Sequence, residues 1–225
     1  SLMCIIRKCG ELALKTNDSK GERDVRVENL ILTPARYLTI MTNVNIAKNA
    51  LIEFANFAFE AFRVLECSCK NLMLESSFTT MNILESTYRA CRHFPEACHF
   101  RTPGYTTYLR YTDLKRLFDN CADVVDKNSM TRELEKHYVE LSRLVRQHFE
   151  TCNPTDVEFA AIFGLALWSD EIINNDANLH QIATVIRSEI LKELHVYYAT
   201  SGTTDYASRI GHIFCLLVNC QVTNY

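Results

Sequence analysis

From Ala35 to Phe94 the chain contains neither glycine nor proline. Hairpins and tight turns depend on those two residues for their special backbone angles, so a run of this length without either reads as long helices. The apolar spacing agrees. Ile40, Val44, Ala47, Leu51, Phe54 and Ala58 recur at intervals of three and four, and Leu72, Met73, Phe78, Met81, Leu84 and Tyr88 carry the pattern toward Cys91. Across all 225 residues there are six Gly and four Pro, which disfavours an all-β sandwich or barrel. Thr33-Pro34 and Asn153-Pro154 have the form of an N-cap followed by a first-turn proline, and Ser68 is placed to cap a further helix.

Later segments keep the helical period. Leu134, Tyr138, Leu141, Val145 and Phe149 form one stripe, and Phe159, Ile162, Phe163, Ala166 and Leu167 a second. Leu179, Ile182, Ala183, Ile186, Ile190, Leu194 and Tyr197 form a third, and Tyr206, Ile210, Ile213, Phe214 and Leu217 close the series. The one strand signal is Tyr105–Tyr111, aromatic and β-branched behind Pro103-Gly104. Residues 1–30 read as an N-terminal extension with a first helix over Leu2–Leu14 and a loop over Thr16–Val25. Residues 31–225 read as one all-α domain with no linker, repeat or low-complexity tract.

Composition narrows the function. Apolar residues are 48% and charged residues 23%, a globular balance. With a net charge of −3 and no basic cluster carrying aromatics, direct nucleic-acid contact by this segment is disfavoured. No stretch approaches the ~20 apolar residues of a membrane span, and Ser1–Arg7 is too short for a signal-peptide core. The ten cysteines include no C-x-x-C and lie in apolar, helix-like segments, which suits free thiols in a reducing compartment rather than metal ligands or disulfides. Nucleotide-loop, zinc-protease and nucleophile-elbow motifs are absent. His148/Cys152 and Ser208/His212 are i,i+4 pairs, better read as neighbours on a helix than as base and nucleophile. Arg132–Lys136 alternates charge as a solvated face does. The sequence offers no carrier of catalysis, and no metal or cofactor is expected.

A resemblance emerges from four segments in register. Phe62-Arg-Val-Leu65 followed by Lys70-Asn-Leu-Met-Leu74 resembles the signature of nuclear receptor ligand-binding domains. Leu84–Cys91 resembles the end of that family's helix 5, Asn153–Trp168 its helix 8, and Tyr206–Gly211 the start of its helix 10. Tyr105–Tyr111 falls where the family has its β-turn. The match spans roughly residues 30–222, and its closest flavour is the divergent nematode branch related to the hepatocyte nuclear factor four group.

The resemblance implies a three-layer helical sandwich with one short β-turn element, acting in the nucleus as part of a transcription regulator. DNA would be contacted only by a separate zinc-finger module. It implies a lipophilic, fatty-acid-like carboxylate ligand held by Arg89, with Ser86, Asn82 and Phe78 on preceding turns and Ile40, Val44 and Ala47 on the opposite wall. A guanidinium offers a carboxylate a bidentate fork. The alternative for Arg89 is a local acid such as Glu85, and the alternative for the site is a cavity empty or filled by its own side chains.

Glu158 and Arg209 match a structural ion pair between helices 8 and 10. Residues 205–222 match a homo- or heterodimer face. The coregulator groove, which takes an amphipathic LxxLL helix, maps to Asn56, Lys70 and Glu75. Asn56 and Glu75 depart from the family's basic clamp, with Lys70 one turn away as a substitute. The sequence also ends near where helix 11 would run, so the activation helix is expected to be missing from it. A ligand-independent dimerisation or corepressor-binding module is the alternative to a ligand-switched receptor domain.

Overall fold

A computed structural model describes residues 25–27, 30–119, 121–122, 126–136, 140–169 and 176–222. The first helix expected over Leu2–Leu14 and the loop before Val25 lie outside these residues. The chain divides into two compact units, 1–50 with 85–150 and 51–84 with 151–225.

The described elements are β1 (Val25–Val27), β2 (Leu30–Pro34), α1 (Tyr37–Ala58), α2 (Glu60–Arg63), α3 (Cys67–His93), β3 (Phe100–Gly104) and β4 (Thr107–Arg110). A 3-10 stretch at Tyr111–Phe118 follows. The remaining helices are α4 (Lys127–Leu134), α5 (Glu140–Cys152), α6 (Asp156–Leu167), α7 (Ala177–Ser201) and α8 (Tyr206–Val222). The glycine- and proline-free run is thus α1, α2 and α3.

The first unit holds a four-stranded sheet in the order β1-β2-β4-β3. β1 and β2 are antiparallel, β2 runs parallel to β4, and β3 and β4 are an antiparallel pair joined at Tyr105-Thr106. This corrects the expectation of one β element. Leu30–Pro34 is a strand because its edge is completed from far along the chain, with Thr33 N–H donating to Thr106 O and Ala35 N–H to Tyr108 O. Pro34 therefore ends a strand, and α1 starts three residues later. Pro103-Gly104 also lies inside β3 rather than forming a turn before it.

Two apolar clusters sit beside this sheet. Leu32, Phe94, Phe100 and Tyr108 form one, with Phe94 and Phe100 stacked at 4.5 Å between ring centroids. Ala35, Leu109, Leu114, Leu117, Phe118 and Cys121 form the other. Arg146 of α5 is 1% exposed and its guanidinium donates to Phe100 O at 2.8 Å, to Phe94 O, and to Glu150 Oε1 at 2.8 Å. One cation thereby satisfies two carbonyls at the entry to β3.

The second unit is built on α6, buried along nearly its whole length from Glu158 to Leu167. Such a helix is apolar all round and belongs inside a larger assembly of helices. Phe54, Phe59, Phe62, Phe159, Phe163 and Trp168 form an aromatic core, with Phe59 and Phe62 edge-on to Trp168 at 5.7 and 6.5 Å. Each such ring removes roughly 150–250 Å² from water. Gly164 permits close packing, since a Cβ there would stand 3.1 Å from Ile190 and 3.2 Å from Phe59.

Two cap positions and one buried face differ from expectation. α6 is capped by Thr155, whose hydroxyl accepts from Glu158 N–H at 3.3 Å while Thr155 N–H donates to Glu158 Oε2 at 2.7 Å. That capping box displaces the cap from Asn153. α3 begins at Cys67, with Ser68 inside its first turn. On α7 the buried residues are Leu179, Ala183, Leu194 and Tyr198, so the buried tyrosine is Tyr198 rather than Tyr197.

Candidate functional site

Arg89 sits on α3 one turn after Glu85, and each is more than nine-tenths buried. The i,i+4 order with the acid first is the favourable one on a helix. Arg89 Nη2 donates to Glu85 Oε2 at 2.8 Å and to Thr102 O at 3.0 Å, and Nη1 donates to Gly104 O at 2.8 Å. Nε stands 2.5 Å from Glu85 Oε1 but out of line for a hydrogen bond, so the directed contact runs through Nη2. The Tyr105 ring covers the guanidinium at 4.4 Å from its centroid. An aromatic face is a good surface for a cation withdrawn from water.

The surroundings of Arg89 are unusually polar for an interior. Thr102 Oγ1 donates to Ser86 O at 2.9 Å, and Asn43 Nδ2 donates to Thr107 Oγ1 at 3.4 Å. Gly104 makes that arrangement possible. A Cβ there would lie 2.0 Å from Asn43 Nδ2 and 2.8 Å from Thr107 Oγ1, so any side chain at this position would force Asn43 and Thr107 to move. Of the other residues expected around Arg89, Ser86 is buried, and Ile40, Val44 and Ala47 on α1 are half-buried. Ile40 packs on the cluster of Leu114, Leu117 and Phe118. Asn82 and Phe78 belong to the second unit and are half-buried.

In the second unit Arg209 and Glu158 meet directly. Arg209 Nε donates to Glu158 Oε1 at 2.6 Å and Nη2 to Glu158 Oε2 at 2.7 Å. Arg209 also donates to the carbonyls of Cys152 and Asn153 at the end of α5, and Tyr198 Oη donates to Glu158 Oε1 at 2.7 Å. Burial by itself would push the Glu158 carboxyl up, yet the bonds from Arg209, the Thr155 amide and Tyr198 prevail and hold it at about 2. Burial, and then the bond to Glu158, raise the Tyr198 hydroxyl.

The groove residues are engaged locally. Lys70 Nζ donates to Arg63 O at 2.7 Å, closing the last turn of α2, and lies over the Phe62 ring at 5.7 Å. Asn56 Nδ2 donates to Ile52 O at 2.9 Å, while Glu75 is exposed. On α8 the residues Ser208, Gly211, His212, Cys215, Val218 and Asn219 face outward, and from Ile210 to Val222 the sequence has no Asp, Glu, Lys or Arg. Among the described residues, nothing lies within 4 Å of a Cβ built on Gly211.

The family model for the ligand-binding domain of nuclear hormone receptors matches residues 32–224. The chain belongs to that family. No curated protein matches it. Nuclear receptor ligand-binding domains are non-enzymatic parts of transcription factors, and their helical-sandwich class accords with the helices described above. Burial raises the Cys152 thiol, the reverse of what a nucleophile needs, and Ser208 and His212 are exposed. Among the described residues, no group of three or more His, Cys, Asp or Glu could hold a metal ion. Among the described residues, no helix is long and apolar enough to cross a membrane.

Sequence reasoning missed Arg146, Asn43, Thr102 and Tyr198. Arg146 had a visible signal, a charge set beside Val145 in an apolar stripe. Asn43 and Thr102 had none, because Asn43 pairs with Thr107 on β4 and Thr102 with Ser86 and Arg89 on α3, partners that no local periodicity indicates.

Proposed function

We propose that this nuclear receptor ligand-binding domain serves a nuclear transcription regulator of the divergent hepatocyte nuclear factor four-related type, and that it acts through protein contacts without a bound acid. The observation that carries this reading is the engagement of Arg89. Its Nη2 donates to Glu85 Oε2 and Thr102 O, its Nη1 to Gly104 O, and its face is covered by Tyr105. An incoming carboxylate would have to break a buried ion pair to reach it.

The contacts we assign are a dimer face on residues 205–222, supported by the charge-free outward side of α8, and a coregulator surface around Asn56, Lys70 and Glu75. With Lys70 closing α2 and Glu75 exposed, that surface favours corepressor helices over an LxxLL helix held by a basic clamp. DNA is left to a separate domain, and the Glu158–Arg209 pair is assigned a structural role.

A second reading is favoured by the polar lining near Arg89. A fatty-acid-like ligand displaces Glu85 and lies against Ser86, Ile40, Val44 and Ala47. Native mass spectrometry and solvent extraction of the purified domain test the choice. The expected result is no bound fatty acid. A stoichiometric acid lost on Arg89→Met would establish the second reading instead.

A further inference from the structure

The Glu85 carboxylate lies within the interior at the position where a guanidinium would take an external anion. It arrives from the same helix, one turn earlier, so no loop or partner has to order to bring it there. The remaining acceptors around Arg89 are neutral carbonyls, Gly104 O and Thr102 O, so Glu85 is the only negative charge the described contacts supply to this cation. Its Oε1 is buried without an aligned hydrogen bond, which leaves the carboxylate held by charge and by one directed contact.

We infer that Glu85 is a resident carboxylate that occupies the Arg89 site and sets its ligand class: the site rejects acids in the wild-type protein and becomes an anion site when Glu85 is removed. The inference deepens the ligand-free reading above and rests on it only in treating Arg89 as a ligand-class determinant. The physical reason is that a buried guanidinium without a counter-ion recruits one, and a charge-assisted pair in a water-poor interior is worth far more than one in solvent. Glu85→Ala opens a space of carboxylate size directly beside that cation. The Tyr105 ring and the two carbonyls stay in place, so the guanidinium remains oriented for an anion entering from the Glu85 side.

The test compares thermal unfolding midpoints of the wild type, Glu85→Ala, and Glu85→Ala with Arg89→Met, in sodium formate and in sodium chloride of equal ionic strength. Formate is expected to raise the midpoint of Glu85→Ala in a saturable way and to leave the other two unchanged. No formate-specific rise, or an equal rise in the wild type, overturns the inference. Should Glu85→Ala not fold in chloride, its recovery in formate is the same readout, and failure in both salts hands the decision to Glu85→Gln. That variant keeps the side-chain shape, and a double-mutant cycle with Arg89→Met that proves additive overturns the pairing. Decanoate then separates this idea from the ligand reading. Uptake by Glu85→Ala alone supports the inference, whereas decanoate held by the wild type and lost on Arg89→Met overturns it and leaves a lipid-acid receptor standing.

Discussion

A carboxylate exposed over 1% of its surface stays charged only if its neighbours replace the water it has lost, and Glu158 has three that do so. Its folded value near 2 lies below the 4.5 of the free side chain. The stabilisation is therefore fully present above about pH 4.5 and is lost as the pH falls toward 2. Urea midpoints measured between about pH 6 and about pH 3 should fall in the wild type, and Glu158→Gln should lose that part of the slope. At neutral pH, Glu158→Ala leaves Arg209 without its anion and should cost about 3–5 kcal/mol. Tyr198→Phe removes one bond to the same charge and should cost about 1.5–3 kcal/mol in chemical denaturation. Glu158 and Arg209 could be picked out in the sequence by their resemblance to a family pair. Tyr198 could not, because a helix stripe fixes a face only to within one residue and Tyr197 stands next to it.

At the scale of elements, the hairpin of β3 and β4 is held to the helices of its unit by cations and by one glycine. Arg146→Ala removes the guanidinium bonds to the carbonyls of Phe100 and Phe94, the second of which keeps Ala97 N–H, and should destabilise by about 1–3 kcal/mol, with hydrogen exchange accelerated first over residues 94–110. Gly104→Ala drives a methyl into Asn43 and should cost about 1–3 kcal/mol. Combining it with Asn43→Ala should recover most of that loss, which denaturation of the double variant measures. The helices were legible because their period is local: α1 and α3 follow from apolar spacing and the absence of glycine and proline. β2 was not legible, since its pairing with β4, where Thr106 and Tyr108 accept from Thr33 and Ala35, comes from more than seventy positions away. The cap of α6 was misassigned for a related reason. Asn153-Pro154 and Thr155 both have cap chemistry, and the reciprocal bond with Glu158 decides between them.

For the whole molecule, the assigned contacts predict self-association through α8. Substituting Val218 with Glu should shift the protein from dimer to monomer by light scattering while leaving its melting curve near that of the wild type, because Val218 is exposed. Gly211 sharpens the same question. A glycine in the middle of a helix costs about 1 kcal/mol relative to alanine, and here no neighbour among the described residues occupies the space a methyl would take. Gly211→Ala should therefore make the solitary chain sturdier while loosening its hold on a second copy. Two readouts moving in opposite directions would identify this bare stretch of helix as a seat kept clear for another backbone.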